Sequence, residues 1–248
     1  MEPASSSNYH SMQVSANRRF AHNLQFGFAW TWSKAMEYAG DTTNTVSNLL
    51  PPRIWNYGLS AYDRTHVVKI NYLYDLPNFK FNHAFVRAVL NGWELSGITT
   101  FQSGAPLGVS LTTTNGLDVS GSPSDLARPN LISSAILPKS QRTFYRYFNS
   151  AAFALPAIGT PGDEATTEFR GPGINDWDTS LFKNFSFRER ARFQFRAEAY
   201  NVFNHTQFAT VNTTAQFNPA GQQVNSALGE VTSARNPRIM QFAVRLFF

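Results

Sequence analysis

Cysteine is absent from this chain of 248 residues, which excludes a disulfide framework, a Cys-ligated zinc site and thiol catalysis. Charge is scarce: Asp, Glu, Lys and Arg together make up 15% of residues, against about 25% in an average globular protein. No apolar run approaches the roughly 18 residues of a membrane-spanning helix. The opening Met1-Glu2-Pro3-Ala4-Ser5 has no basic segment followed by an apolar one, so no secretory signal peptide is visible. The net charge is +5, yet Lys and Arg are scattered and form no basic run, so no nucleic-acid partner is expected. Helical periodicity is almost missing.

Aromatic residues are what the chain has in quantity: 22 Phe, 9 Tyr and 5 Trp, or 15%. With 42% hydrophobic residues, long-range disorder is excluded. Many aromatics with few charges suit a β protein whose outer surface does not face water. Period-two alternation recurs along the chain, as expected of strands with two unlike faces. In Leu24–Ser33, Leu24, Phe26, Phe28, Trp30 and Trp32 oppose Gln25, Gly27, Ala29, Thr31 and Ser33. In Arg192–Ala199, Phe193 and Phe195 share a face with Ala197 and Ala199, opposite Arg192, Gln194, Arg196 and Glu198. Similar splits run through Val67–Leu76 and Trp93–Gln102, with weaker ones at Ser11–Arg18 and Trp177–Arg188. In the last of these Lys183 falls on the apolar face, which the sequence does not explain. With a final strand at Ile239–Phe248, about seven strands of roughly ten residues result, the length a tilted strand needs to cross a bilayer.

The connections alternate in length, at roughly 4, 30, 14, 70, 3 and 32 residues. Tight periplasmic turns with long outer loops are the plan of bacterial outer-membrane barrels, and long structureless connections are rare in compact soluble domains. The expected fold is therefore all-β, an antiparallel transmembrane β-barrel segment with long extracellular loops. Phe26, Phe28 and their face-mates Leu24, Trp30, Trp32, Phe193 and Phe195 are expected to face outer-membrane lipid. Soluble sandwiches also alternate, with the apolar face as core, so a soluble carbohydrate-binding β-sandwich stands as an alternative.

Counting back by twos from the end gives Phe248, Leu246, Val244, Phe242 and Met240. A last strand with a terminal aromatic and alternating apolar residues resembles the assembly signal of outer-membrane barrels, which implies the barrel-assembly machinery as a partner that pairs with the strand edge. Chemistry-bearing motifs are missing. His10, His22, His66, His83 and His205 show no metal-ligand spacing. There is no Gly-x-Ser-x-Gly elbow, HExxH or phosphate-cradling glycine loop. Asp176 and Asp178 share a strand face and read as lumen residues facing Arg192, Arg196 or Arg238 rather than as glycosidase carboxylates. No catalytic, cofactor-binding or metal residues, no cofactor and no enzyme activity are expected.

Longer blocks carry a family likeness. Phe169–Phe185 (FRGPGINDWDTSLFKNF), Phe195–His205 (FRAEAYNVFNH) and Asn236–Phe242 (NPRIMQF) resemble, in that order, blocks near the end of TonB-dependent outer-membrane receptors of the Oar-like type. Trp30–Lys34 and Asn91–Gly97 are similar to earlier strand signatures of that family. The resemblance covers nearly the whole chain. It implies energy-coupled uptake of an unknown extracellular ligand across the outer membrane. It also implies outer loops, around Lys34–Asp63, Gly104–Gly173 and Thr206–Pro237, that form part of the ligand mouth. The family's plug, its N-terminal β domain and its TonB-contacting segment have no counterpart in residues 1–248. TonB would be reached only through those segments. About seven strands is also an odd count, whereas self-contained bacterial barrels have even ones. The expectation is a C-terminal barrel fragment of a longer receptor, with a passive or structural barrel as the nearest alternative.

Overall fold

The computed structural model describes residues 6–38, 50–121, 127–187 and 191–248. Seven long strands make up the main sheet: β1 (Ser7–Ala21), β2 (Leu24–Glu37), β3 (His66–Asp75), β4 (Trp93–Gln102), β5 (Ile174–Phe187), β6 (Ala191–Tyr200) and β7 (Ile239–Phe247). They pair in chain order, every neighbour antiparallel, with β1 and β7 at the two edges. The sheet is open. The expected strands are all present, and β1, β2 and β5 run longer than alternation alone indicates, at 15, 14 and 14 residues.

The hairpin between β1 and β2 turns on two residues, His22 and Asn23, both at positive φ (52° and 64°). That pair of left-handed residues matches the twist of the flanking strands, and Asn tolerates it better than most. The β3–β4 connection carries a short helix, Ala84–Leu90. The Asn91 side chain closes it by hydrogen bonding Phe79 N–H and C=O at 2.9 and 2.8 Å. At Gly97 a Cβ would stand 2.5 Å from the Tyr72 hydroxyl and 2.6 Å from the Asp178 carbonyl. The tyrosine ring fills the space that a side chain would need.

Cross-strand register joins the alternating sets into two continuous faces. Phe28 stands opposite Ile70, Trp30 opposite Val68, and Val68 opposite Phe101. Leu95 stands opposite Leu181, Lys183 opposite Phe195, and Phe195 opposite Val244. The other face carries Gln25, Lys69, Asn71, Ser96, Ser180, Gln194, Glu198 and Gln241, with apolar residues such as Val67, Leu73, Ile98, Ile174, Phe182 and Phe247 among them. The apolar face is not a protein core. Phe242, Val244 and Leu246 are 62%, 60% and 61% exposed, and among the described residues no second sheet covers them. The architecture is thus not that of a soluble sandwich.

The structure accounts for Lys183. It sits at the short-turn end, where its ammonium donates to the Asn91 carbonyl and lies 5.4 Å from the Trp93 ring centroid and 4.8 Å from that of Phe185. The stem covers aromatic surface while the head reaches a carbonyl beyond the strands.

The hydrophobic core lies in the long connections, and this corrects the expectation that they are structureless. Short strands pair within them: Pro106–Leu107 with Phe169–Arg170, Asn130–Leu131 with Phe153–Ala154, and Phe208–Val211 with Val231–Ala234, all antiparallel, and Ser110–Thr113 with Thr214–Phe217 in parallel. Phe148, Phe153, Phe169 and Phe217 are buried together with Val109, Leu228 and Val231. Phe148 packs on Phe169 at 4.4 Å between ring centroids and edge-on to Phe153 at 5.8 Å. The described residues of the 103–173 and 206–238 connections therefore form one cored cap over the long-loop end of the sheet; residues 122–126 lie outside them.

Candidate functional site

The residues singled out from sequence share one surface. Leu24, Phe26, Phe28, Trp30 and Trp32 lie on the apolar face at one side of the sheet; Phe193 and Phe195 lie on it at the other. Register sets Phe193 against Leu246, Phe195 against Val244, and Ala197 and Ala199 against Phe242 and Met240. The expected assembly set and the expected lipid set are thus one face. Phe195 and Phe242 stack at 6.2 Å. Phe248 follows the last strand residue and is fully exposed. At the cap end the face finishes in aromatic groups: Trp30 stacks on His66 and donates to its Nδ1 at 3.2 Å, and Trp177 meets Phe101 and Phe203 edge-on.

Asp176 and Asp178 lie on the polar face, but their expected arginine partners are elsewhere. Asp176 accepts from the Gln207 amide at 3.1 Å and Asp178 from the Asn201 N–H at 3.0 Å. Arg196 pairs with Glu198, Arg192 covers the Phe247 ring, and Arg238 donates to the Val202 carbonyl. The reason is register: β5 at Asp178 runs beside the turn that leaves β6, so donors of that turn and of the segment after it reach the carboxylates first. His205 follows that turn, where its carbonyl accepts from the Asn201 side chain at 3.1 Å.

The cap is fixed to the rim by polar clamps. The buried Asp63 accepts from the Ala35 N–H at 2.7 Å and pairs with Arg170, whose guanidinium also donates to the Gly104 carbonyl at 3.1 Å. Just outside the pair formed by Pro106–Leu107 and Phe169–Arg170, the two segments run so close that a Cβ at Gly104 would fall 1.8 Å from the Gly171 carbonyl. Deeper in the cap, Glu164 is 2% exposed. Its Oε1 accepts from Val109 N–H at 2.7 Å, and its Oε2 has no partner. Burial, helped by Glu168 and Asp163, raises this carboxyl to a pKa of about 7, against the lowering effect of the Val109 N–H and Arg128. Arg128 lies over the Trp55 ring at 4.1 Å and donates to its carbonyl at 2.8 Å, which ties the 50–66 segment to the cap.

Between rim and cap lies a cleft of about 730 Å³. Its floor includes His66, Val68, Phe101 and Asn175, at the cap ends of β3, β4 and β5; its walls include Lys139, Arg142, Tyr147 and His205. Parts of two connections expected to form an outer mouth, 104–173 and 206–237, therefore do border a cavity. Of the third, residues 39–49 lie outside the described residues. Sequence reading misses the cleft, the Asp63–Arg170 clamp and Glu164. One signal is available: Phe144, Tyr145, Tyr147, Phe148 and Phe153 crowd into ten positions, a density that a solvated loop has no use for.

The model for the outer membrane beta barrel domain family matches residues 1–241. No curated protein and no solved structure matches the chain. The match runs from the first strand of the antiparallel sheet into the last, so the chain belongs to the outer membrane beta barrel domain family and resides in the bacterial outer membrane.

Proposed function

We propose that this chain is the C-terminal barrel segment of a TonB-dependent receptor of the Oar-like type, with a capped mouth that admits a ligand for energy-coupled uptake. The observation that carries the reading is the open seven-strand sheet roofed by a cored cap. A sheet with two unpaired edges needs further strands in a bilayer, where free N–H and C=O groups are costly. The large plugged transporters, with about 22 strands, supply such a setting. The blocks that resemble the Oar-like family fall where a barrel places them: Phe169–Phe185 enters and forms β5, Phe195–His205 ends β6, and Asn236–Phe242 leads into β7. The polar lumen face offers groups for contact with a plug, and no enzymatic step is assigned to it. In-cell cross-linking of the whole receptor to TonB is the test. Cross-links that increase when ligand-rich medium is supplied are expected. Their absence, with the protein present in the outer membrane, returns the reading to a passive or structural barrel.

The last strand is proposed as the assembly signal. Phe248→Ser should sharply lower the amount of folded receptor in outer-membrane fractions. Removing one side chain loses only about 1.5–3 kcal/mol of burial, too little to unfold a whole barrel, so a large loss would have to arise from failed recognition. Phe247→Ser should matter less, since Phe247 lies on the opposite face beneath Arg192 at 4.6 Å. The readout is the heat-modifiable barrel band. Near-normal amounts in both variants would remove the signal from the Phe248 face.

A further inference from the structure

We propose that the cleft between rim and cap binds an oxyanion, phosphate or carboxylate, carried on an apolar body. Its lining holds Lys139, Arg142 and Arg170 and no carboxylate. Arg170 is neutralised by Asp63; Lys139 and Arg142 have no acidic partner among the described residues. Arg142 is held in place. Its Nε donates to the Leu137 carbonyl at 3.0 Å, one amino group reaches the Tyr147 hydroxyl at 3.3 Å, and its guanidinium lies 5.0 Å from the Tyr147 ring centroid. This anchoring leaves the second amino group for a ligand oxygen, and a pre-set guanidinium loses little freedom when it binds an oxyanion. His205 borders the same space, and its Nε2 is enclosed without a hydrogen-bond partner.

Size decides against a bare ion. The volume of about 730 Å³ far exceeds the roughly 30 Å³ share of one water molecule and falls among small-molecule sites of roughly 300–1,000 Å³. Val68, Phe101 and Tyr147 supply an apolar bed beside the cations. Two sources can present this chemistry. The floor includes the top of the apolar face, so the phosphorylated headgroup of an outer-leaflet lipid reaches the cleft along it. A diffusible anionic solute reaches it from outside. The site needs neither plug nor energy coupling, so its failure leaves the uptake reading standing.

The test uses the full-length protein extracted from outer membranes in mild detergent, with 1-naphthyl phosphate as probe and 1-naphthol as neutral control in equilibrium dialysis. The phosphate is expected to bind at least tenfold more tightly than naphthol. Lys139→Gln with Arg142→Gln should abolish that preference. Lys139→Gln alone, at an exposed residue, should weaken phosphate binding severalfold and keeps the test valid if loss of Arg142 disturbs the cap. Micelles carrying diphosphorylated lipid A, compared with the dephosphorylated glycolipid, separate the sources: selective displacement of the probe assigns a lipid headgroup, and no displacement assigns a diffusible solute. Equal binding of naphthol and naphthyl phosphate, or phosphate binding unchanged in both variants, overturns the proposal.

Discussion

Phe195→Arg is expected to cost the folded protein about 2–4 kcal/mol in a lipid bilayer, the range for a basic residue placed on the lipid face of a barrel near the midplane. Phe195 is the fifth of ten residues in β6, between Lys183 on β5 and Val244 on β7. The upper end of that range applies at the midplane, and the cost falls toward about 1 kcal/mol nearer the short-turn interface. The new guanidinium would lose the stack on Phe242 and meet a like charge on its neighbour. Gln194→Arg, one residue away on the polar face, is the control. It gives up a 2.9 Å bond to the Asn184 side chain, worth about 1 kcal/mol net, and places its charge in water. Urea unfolding of the reconstituted receptor in vesicles, followed by tryptophan fluorescence, measures both. Equal costs for the two substitutions would mean that the Phe195 face does not meet lipid. The same face carries Met240, Phe242, Val244 and Leu246, so the assembly set and the lipid set stand or fall together here.

The strands are legible because their side chains meet two unlike environments. Leu24–Trp32 and Phe193–Ala199 alternate cleanly, and period two survives wherever one face is apolar and the other polar. Alternation bounds Trp93–Gln102 to the residue. It does not reach the end of β2 past Ser33, because Lys34, Ala35 and Met36 break the pattern where the strand rises from the apolar zone to the rim. The cap is illegible for a different reason. Its strands are two to four residues long, too short for any period to show, and their partners lie far away in sequence: Ser110 pairs with Thr214. Proline and glycine in Gly171-Pro172-Gly173 read as loop chemistry, and they are loop residues, but the loop returns to a shared core. Nor does composition reveal Glu164, since a carboxylate in a connection is ordinarily solvated. Only the fold brings Val109, Arg128 and Glu168 around it.

Raising the pH from 5 to 8 is expected to loosen the cap, with Glu164 as the cause. In the unfolded chain its carboxyl titrates near 4.5, and in the folded cap burial raises it to about 7. Between those values the folded state holds the proton that the unfolded state has released. The contribution to stability is therefore fully present below about 4.5 and is lost as pH rises through about 7. At about 1.4 kcal/mol for each tenfold change in proton affinity, the loss amounts to roughly 3 kcal/mol. Physically, ionisation places a charge on Oε2, which has no partner, in a space that excludes water. Glu164→Gln keeps an acceptor for the Val109 N–H and removes the titration. The variant should match the native protein near pH 5, exceed it by about that same amount near pH 8, and show a much flatter profile. Glu168, raised in the same direction by burial, leaves a small residual slope. Amide hydrogen exchange in 105–111 and 161–169, corrected for the intrinsic pH dependence of exchange, reads the opening free energy of this part of the cap. A native profile as flat as that of Glu164→Gln would show that the buried carboxyl ionises without penalty, and that some group outside this packing compensates the charge.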